Sequence, residues 1–390
     1  MLKKITLSLL KHPALGGVLL IFCCVFAMLI KNSNYSYLYD KIINYPIFGI
    51  NTYYEKFTIL NLVNDVLMTL FFLEIGLEIK NEMLVGSLNS KAKSILPGIA
   101  AIGGMAIPAL IYSILTINDT HLIRSGWAIS IATDIVFAVG ILKILGNRVP
   151  KSLVTFLLAL AIFDDIGAIL AIALFYSNDI NQYMILFSLG TVLLLFLLNI
   201  YNIRYITLYL IIGILLWISI LYSGIHVTLS GIILGIILPH KFSISQKYQD
   251  SIILFTKKLS YLTKYFILPA FAFVNSGVCI TNISYHVFNF SLSTGIFLGL
   301  VFGKPIGVFS FSYLSILLKI SKLPEGISLK EIFGISILCG IGFTMSMFIS
   351  NLAFSNISTE IISLAKFSIL FSSLISGIFG FLFLYKIYKK

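Results

Sequence analysis

The sequence predicts an all-α membrane protein of about twelve transmembrane helices, organised as one polytopic domain over residues 1–390. Three observations carry that expectation. Of the 390 residues, 59% are hydrophobic and only 11% charged, whereas a soluble domain holds about 25% charged residues. The apolar residues gather in runs of about 20, the length a helix needs to cross ~30 Å of hydrocarbon. Basic residues collect in alternate loops between those runs, as the positive-inside rule requires.

In chain order the runs lie near 12–30, 59–85, 95–116, 121–143, 150–176, 182–200, 205–221, 223–238, 254–275, 290–317, 328–350 and 357–385. Each is bounded by charge, Pro, Asn or Gly. Lys3, Lys4 and Lys11 ahead of the first run resemble a signal peptide, yet the run to Ile30 is full length and lacks a small-residue cleavage site, so a retained first helix is expected. The basic loops are the N-terminal stretch, 80–93, 143–151, Arg204, 241–258, 319–330 and the C-terminal stretch; the loops between them hold only Lys31, Lys41, Lys56 and Arg124. Both ends of the chain are therefore expected in the cytoplasm. The outer-surface loop 31–58 has two short extended runs around Gly49 and Asn51, which suit either a small hairpin or a disordered loop.

A net charge of +12 invites a nucleic-acid reading, but the basic residues are spread in ones to fours between apolar runs and form no stripe, so no nucleic acid is expected. Cys23, Cys24, Cys279 and Cys339 have neither disulfide-framework nor metal spacing and are read as lipid-facing or core-packing residues. No cofactor is expected.

Function is read from polar groups at membrane depth, where a charged side chain costs at least ~2.5–3.5 kcal/mol and is a functional candidate by default. The outstanding case is Asp164 and Asp165, consecutive carboxylates about 14 residues into the fifth run, hence near the midplane. Neighbours on a helix point about 100° apart, so one acid can face a cavity and the other a neighbouring helix. Asp134, with Thr133 beside it, sits at similar depth in the fourth run, where carboxylate, hydroxyl and backbone oxygens suit a hard monovalent cation; the alternative is a Thr-Asp pair capping a bent helix. Lys304 in the tenth run needs a carboxylate, Asp164 or Asp165, and serves either as structural glue or as a proton carrier.

Asp65 lies toward the outer end of the second run. Glu78 and Glu82, with Glu74 one turn deeper, lie toward its inner end, forming either a solvated helix end or a cation-attracting funnel. His226 in the eighth run is a packing residue or a group titrating near neutrality. Two runs are interrupted by small and polar residues: Ser130 to Asp134, and the stretch with Gly340, Gly342 and Thr344. Paired interruptions in the two halves of a transporter point to a midplane ion site, while close helix packing is the other use of such small residues.

The stretches Asn64–Lys80, Ala132–Ala138, Leu160–Ile169, Ser223–Leu229, Phe302–Pro305 and Leu338–Ser346 together resemble the NhaA-type sodium/proton antiporters, themselves among the proteins that define the interrupted-helix pattern. In order and spacing they cover nearly the whole chain. The resemblance implies an inverted-repeat antiporter fold with segments 4 and 11 broken and crossing. It implies that Asp165 and Asp164 are the cation and proton carboxylates, with Na+ as the bound metal, that Lys304 is their lysine partner, and that Asp134 with Thr133 compensates the broken-helix dipoles. It further implies a homodimer in a bacterial inner membrane, joined partly by the hairpin after helix one, taking two protons in for each Na+ or Li+ out and activated as pH rises. The chain departs from the family pattern at Asn81, where a basic residue is usual, and at Thr256, where an acid is usual, both in the region that the resemblance ties to the pH response.

The sequence-level rivals are an uncoupled cation channel, another proton-coupled secondary transporter, and an intramembrane aspartyl protease. The last needs two aspartates converging from separate helices, whereas Asp164 and Asp165 are consecutive and Asp134 lacks a Gly-x-Gly-Asp setting.

Overall fold

The computed structural model describes residues 15–48, 57–84, 86, 91–177, 180–203, 205–239, 255–279, 289–355 and 358–389. In chain order the helices are α1 (Leu15–Lys31), α2 (Ser36–Ile43), α3 (Ile59–Leu84), α4 (Lys91–Leu115), α5 (His121–Arg124, continued as a 3-10 turn over Ser125–Ser130) and α6 (Ile135–Ile144). They continue as α7 (Lys151–Phe175), α8 (Gln182–Ile200), α9 (Ile206–Leu221), α10 (Leu229–Ile237), α11 (255–275), α12 (Phe290–Leu317), α13 (Leu329–Leu338), α14 (Phe343–Ala353) and α15 (Thr359–Tyr388). Two short antiparallel strands, β1 (Pro46–Phe48) and β2 (Phe57–Thr58), pair Pro46 with Thr58 and Phe48 with Phe57; the segment joining them, with Gly49 and Asn51, lies outside the described residues. Helix α2 stands in the 31–58 loop, where the sequence reading places no helix.

Among the described residues, seven helices are long and apolar enough to cross a membrane, and two bent helix pairs raise the number to nine. The protein is a multi-pass membrane protein. The eighth apolar run differs from expectation: only Leu229–Ile237 is helical, because Gly224 takes a left-handed φ of +83° and the following residues to Thr228 form turns. The fourth and eleventh runs are each broken, at 131–134 and 339–342.

The chain divides into two compact units. Unit 1 comprises Met1–Ser33, Ser87–Ala168 and Asn275–Lys390; unit 2 comprises Asn34–Gly86 and Ile169–Val274. In unit 2, α3 and α10 pack backbone to backbone: a Cβ on Gly235 would meet Leu73 O at 2.6 Å, the close approach that small residues allow where lipid removes the hydrophobic drive between helices. Unit 2 also has a buried apolar cluster around Leu73, Leu195, Tyr209, Leu216 and Leu234.

In unit 1 the corresponding contact is α4 against α12, where Gly103 and Gly307 face one another so closely that a Cβ on either would collide with the other's backbone carbonyl. This contact sets Lys304, one turn earlier on α12, against Gly104. Helix α12 widens into a π turn over Gly299–Gly303, which Lys304 separates from Pro305, whose missing N–H leaves the Val301 carbonyl without its α-helical donor. Such turns insert one residue and recur at functional sites.

Candidate ion site at two helix breaks

The sequence-predicted residues separate between the units. Asp134, Thr133, Asp164, Asp165, Lys304, Gly340, Gly342 and Thr344 belong to unit 1; Asp65, Glu78, Glu82 and His226 belong to unit 2.

In unit 1 the unwound residues Ile131 to Asp134 meet the break between α13 and α14. Main chain joins main chain there: Asp134 N donates to Ile341 O at 2.6 Å. The Asp134 carboxylate then serves two helix starts. Its Oδ1 accepts from Phe137 N at 3.1 Å, capping α6. Its Oδ2 accepts from Thr344 N at 3.1 Å and Thr344 Oγ1 at 2.5 Å, at the start of α14. A helix N-terminus carries about half a positive charge and unsatisfied N–H groups, so one buried carboxylate, 2% exposed, serves to neutralise two such ends.

The opposing carbonyl end of α13 is met by Thr133, whose Oγ1 lies 3.0 Å from Cys339 O and 2.7 Å from Asp164 Oδ2. A hydroxyl has one proton and two lone pairs, so Thr133 can donate to only one of these acceptors at a time. Lys304 Nζ donates to Asp164 Oδ2, and both side chains are fully buried. That assigns the carboxylate partner which the sequence left open between Asp164 and Asp165. Asp164 Oδ1 is buried with no hydrogen-bond partner among the described residues. Asp165 follows on α7, 2% exposed. Among the described residues no hydrogen bond or ion pair links Asp134 to Asp164 or Lys304; Thr133 touches both the helix break, at Cys339 O, and Asp164.

The π turn of α12 lies against both breaks. A Cβ on Gly299 would meet Ser130 Oγ at 2.8 Å, and one on Gly340 would meet Leu300 O at 2.5 Å. Gly342 is the residue before α14. Two braces were not anticipated from the sequence: Phe343 N donates to Ser373 Oγ at 3.1 Å, and Ser346 Oγ donates to Ile129 O at 2.6 Å. The signal that could have found them is the serines in the apolar α14 and α15, Ser346 and Ser373 among them, since a serine there must find a backbone partner.

In unit 2, Asp65 lies in a π turn of α3, with its Oδ1 4.0 Å from His226 Nε2, and His226 Nδ1 is 2.8 Å from Thr228 Oγ1. Glu78 and Glu82 lie on the last turns of α3, Asn81 is exposed between them, and Thr256 is half-buried on α11. Among the described residues no three His, Cys, Asp or Glu side chains converge as a metal cluster. The unit 1 arrangement offers instead hard oxygens, from the Asp164 carboxylate, the Thr133 hydroxyl and the backbone at the breaks, beside a lysine. Such a set suits exchange of a monovalent cation against protons.

Comparison with known proteins agrees with this chemistry. The family model described as Na+/H+ antiporter 1 matches residues 8–384. The Na(+)/H(+) antiporter NhaA of Wigglesworthia glossinidia brevipalpis is 60% identical over 381 residues, covering 97% of this chain and 96% of its own. The Na(+)/H(+) antiporter NhaA of Haemophilus influenzae (strain 86-028NP) is 42% identical over 383 residues, covering 98% and 95%. The solved structure of the sodium proton antiporter MjNhaP1 from Methanocaldococcus jannaschii at pH 8 matches with a TM-score of 0.56 over 100% of this chain and 99% of that one; at 15% identity it speaks for the fold alone. The chain belongs to the Na+/H+ antiporter 1 family.

Proposed function

We propose that the protein is a secondary active antiporter that exports Na+, and Li+, in exchange for inward protons. The observation that carries this reading is the fully buried Lys304–Asp164 pair joined through Thr133 to the meeting of two helix breaks. A buried ion pair is a poor stabiliser, and its place beside unwound backbone suits a charge that must change partners.

In the proposed cycle Asp165 is the principal cation carboxylate and Asp164 its neighbour. When Na+ arrives, Thr133 turns its proton to Cys339 O and presents lone pairs to the ion. Asp165 gives up a proton, and Lys304, left without its carboxylate, hands on a second. Two protons per Na+ follow from that balance. Asp134 and Thr344 hold the two helix starts in place while the site changes its access. Asp65, His226, Glu78 and Glu82 act as accessory and pH-response groups for activation at alkaline pH, with Asn81 and Thr256 altering the profile.

We place the protein as a homodimer in a bacterial inner membrane, both termini cytoplasmic. Its twelve apolar runs span the membrane in an inverted repeat, with segments 4 and 11 crossing. The test is proton release from everted, acid-loaded vesicles on adding NaCl, LiCl or KCl across a pH series. Sodium- and lithium-dependent release is expected and should vanish in Asp165→Asn; wild-type release by that variant overturns the assignment, and sodium current without proton movement overturns antiport itself.

A further inference from the structure

Unit 1 contains an amphipathic cavity that the ion site does not use. Its mouth, about 380 Å³, sets Arg148, Tyr385 and Tyr388 beside the apolar Ile144, Leu145 and Phe381. Ile144 and Phe381 line this mouth and also line a second cavity of about 500 Å³, an apolar groove whose walls come from α1, α6 and α15 and which reaches Ile341 and Phe343. The groove opens outward, because Ile378 and Leu382 on its wall keep half their surface accessible.

Charge and shape together select the occupant. Arg148 is exposed and forms no ion pair with any described residue. Lys389 Nζ stands 6.0 Å over the Tyr385 ring, adding a second cation at the mouth. The carboxylate that Tyr388 reaches, Glu331, is already engaged by the Tyr388 hydroxyl, by Ser328 N at 2.6 Å and by Ser328 Oγ at 2.8 Å. Tyrosines with basic residues at the end of a spanning helix mark the headgroup level of a bilayer, and basic clusters there attract anionic lipid. A cationic mouth continuous with an apolar slot has the polarity of one phospholipid.

We propose that this cavity binds one anionic phospholipid, with its phosphate at Arg148 and Lys389 and an acyl chain in the groove beside α15. The chain end then abuts Ile341, whose carbonyl accepts from Asp134 N, and the T-shaped Phe137–Phe343 pair, ring centroids 4.9 Å apart. Bound lipid thereby braces the junction of the two breaks.

The experiment uses the full chain reconstituted in phosphatidylethanolamine vesicles doped with phosphatidylglycerol, then released into mild detergent for native mass spectrometry of retained lipid. Wild type should keep one phosphatidylglycerol in preference to phosphatidylethanolamine. Arg148→Gln, an exposed change that leaves the fold intact, should lower that preference roughly fivefold, the weight of one basic residue at an anionic surface, and Arg148→Lys should restore it. Gly377→Leu should lose the retained lipid altogether: a Cβ there meets Ile141 Cδ1 at 3.4 Å and Ile341 Cδ1 at 3.7 Å, ordinary contacts, while the rest of the side chain fills the groove. An unchanged preference in Arg148→Gln, or wild-type retention in Gly377→Leu, overturns the proposal, as does a wild-type protein that retains the two lipids without preference.

Discussion

If the Asp134 carboxylate joins two helix starts, its removal and that of Thr344 must be energetically coupled. Asp134→Ala deletes three hydrogen bonds, to Phe137 N, Thr344 N and Thr344 Oγ1. The two bonds to Thr344 contribute about 1.5–3 kcal/mol each, as bonds to a charged group do, and the lost N-cap adds about 0.5–2 kcal/mol, so a loss of about 3.5–8 kcal/mol is expected. Asp134→Asn keeps one acceptor oxygen and aims an amide N–H₂ at the donors on the other side, so it should lose about half as much. Thr344→Ala removes only the hydroxyl bond, about 1.5–3 kcal/mol. The double variant Asp134→Ala/Thr344→Ala should then be no worse than Asp134→Ala, giving a coupling energy of about 1.5–3 kcal/mol. Unfolding by SDS in mixed micelles, followed through Trp127 in a Trp217→Phe background, measures this; Trp127 lies in the 3-10 turn that leads into the break. Additivity of the two single changes within about 0.5 kcal/mol would refute a carboxylate shared by two helix ends.

Lys304→Gln leaves Asp164 buried without its cation and should cost about 3–5 kcal/mol, most of it regained in Lys304→Gln/Asp164→Asn; a double variant as unstable as the single one in the same SDS titration would show that the pair does not act as a pair. In reconstituted vesicles the charge moved per Na+ by Lys304→Gln should fall, and an unchanged value would remove Lys304 as a proton carrier. Gly103→Ala forces a Cβ into the Gly307 carbonyl and the Phe311 ring, an overpacking expected to cost about 1–3 kcal/mol and to show as a lower midpoint of thermal aggregation. Ser373→Ala leaves Phe343 N–H buried and unbonded, for about 1–3 kcal/mol, and hydrogen exchange at the start of α14 should rise with it.

The legible part of the site was the part with a large solvation cost. Asp164, Asp165 and Lys304 stand out because each opposes its own apolar surroundings, and no neighbour needs to be known to see it. The partner of Lys304 was not legible, because counting residues along a helix gives depth, and the π turn over Gly299–Gly303 inserts a residue that resets which way Lys304 faces. The short α10 was hidden for another reason: a glycine in an apolar run carries no sign of its φ, and only the left-handed φ of Gly224 marks a stop. The interleaving of the units was also invisible, since unit 1 takes three separate pieces of chain and periodicity carries no long-range pairing.

The two interrupted stretches show most clearly where sequence reasoning stops. Taken singly, residues 130–134 and 340–346 each allow a bland reading, a capped bend in one case and tight packing in the other. Asp134 alone would leave one carboxylate oxygen buried without a donor, and the start of α14 alone would leave Thr344 N–H and its hydroxyl buried without an acceptor; both are expensive inside a membrane. Each break therefore supplies what the other lacks: Asp134 gives the acceptor for Thr344, Ile341 O gives the acceptor for Asp134 N, and Thr133 reaches the carbonyl end at Cys339. Neither unwound segment can be satisfied without the other 200 or so residues away, so a pattern that is ambiguous in each stretch becomes specific only as a pair.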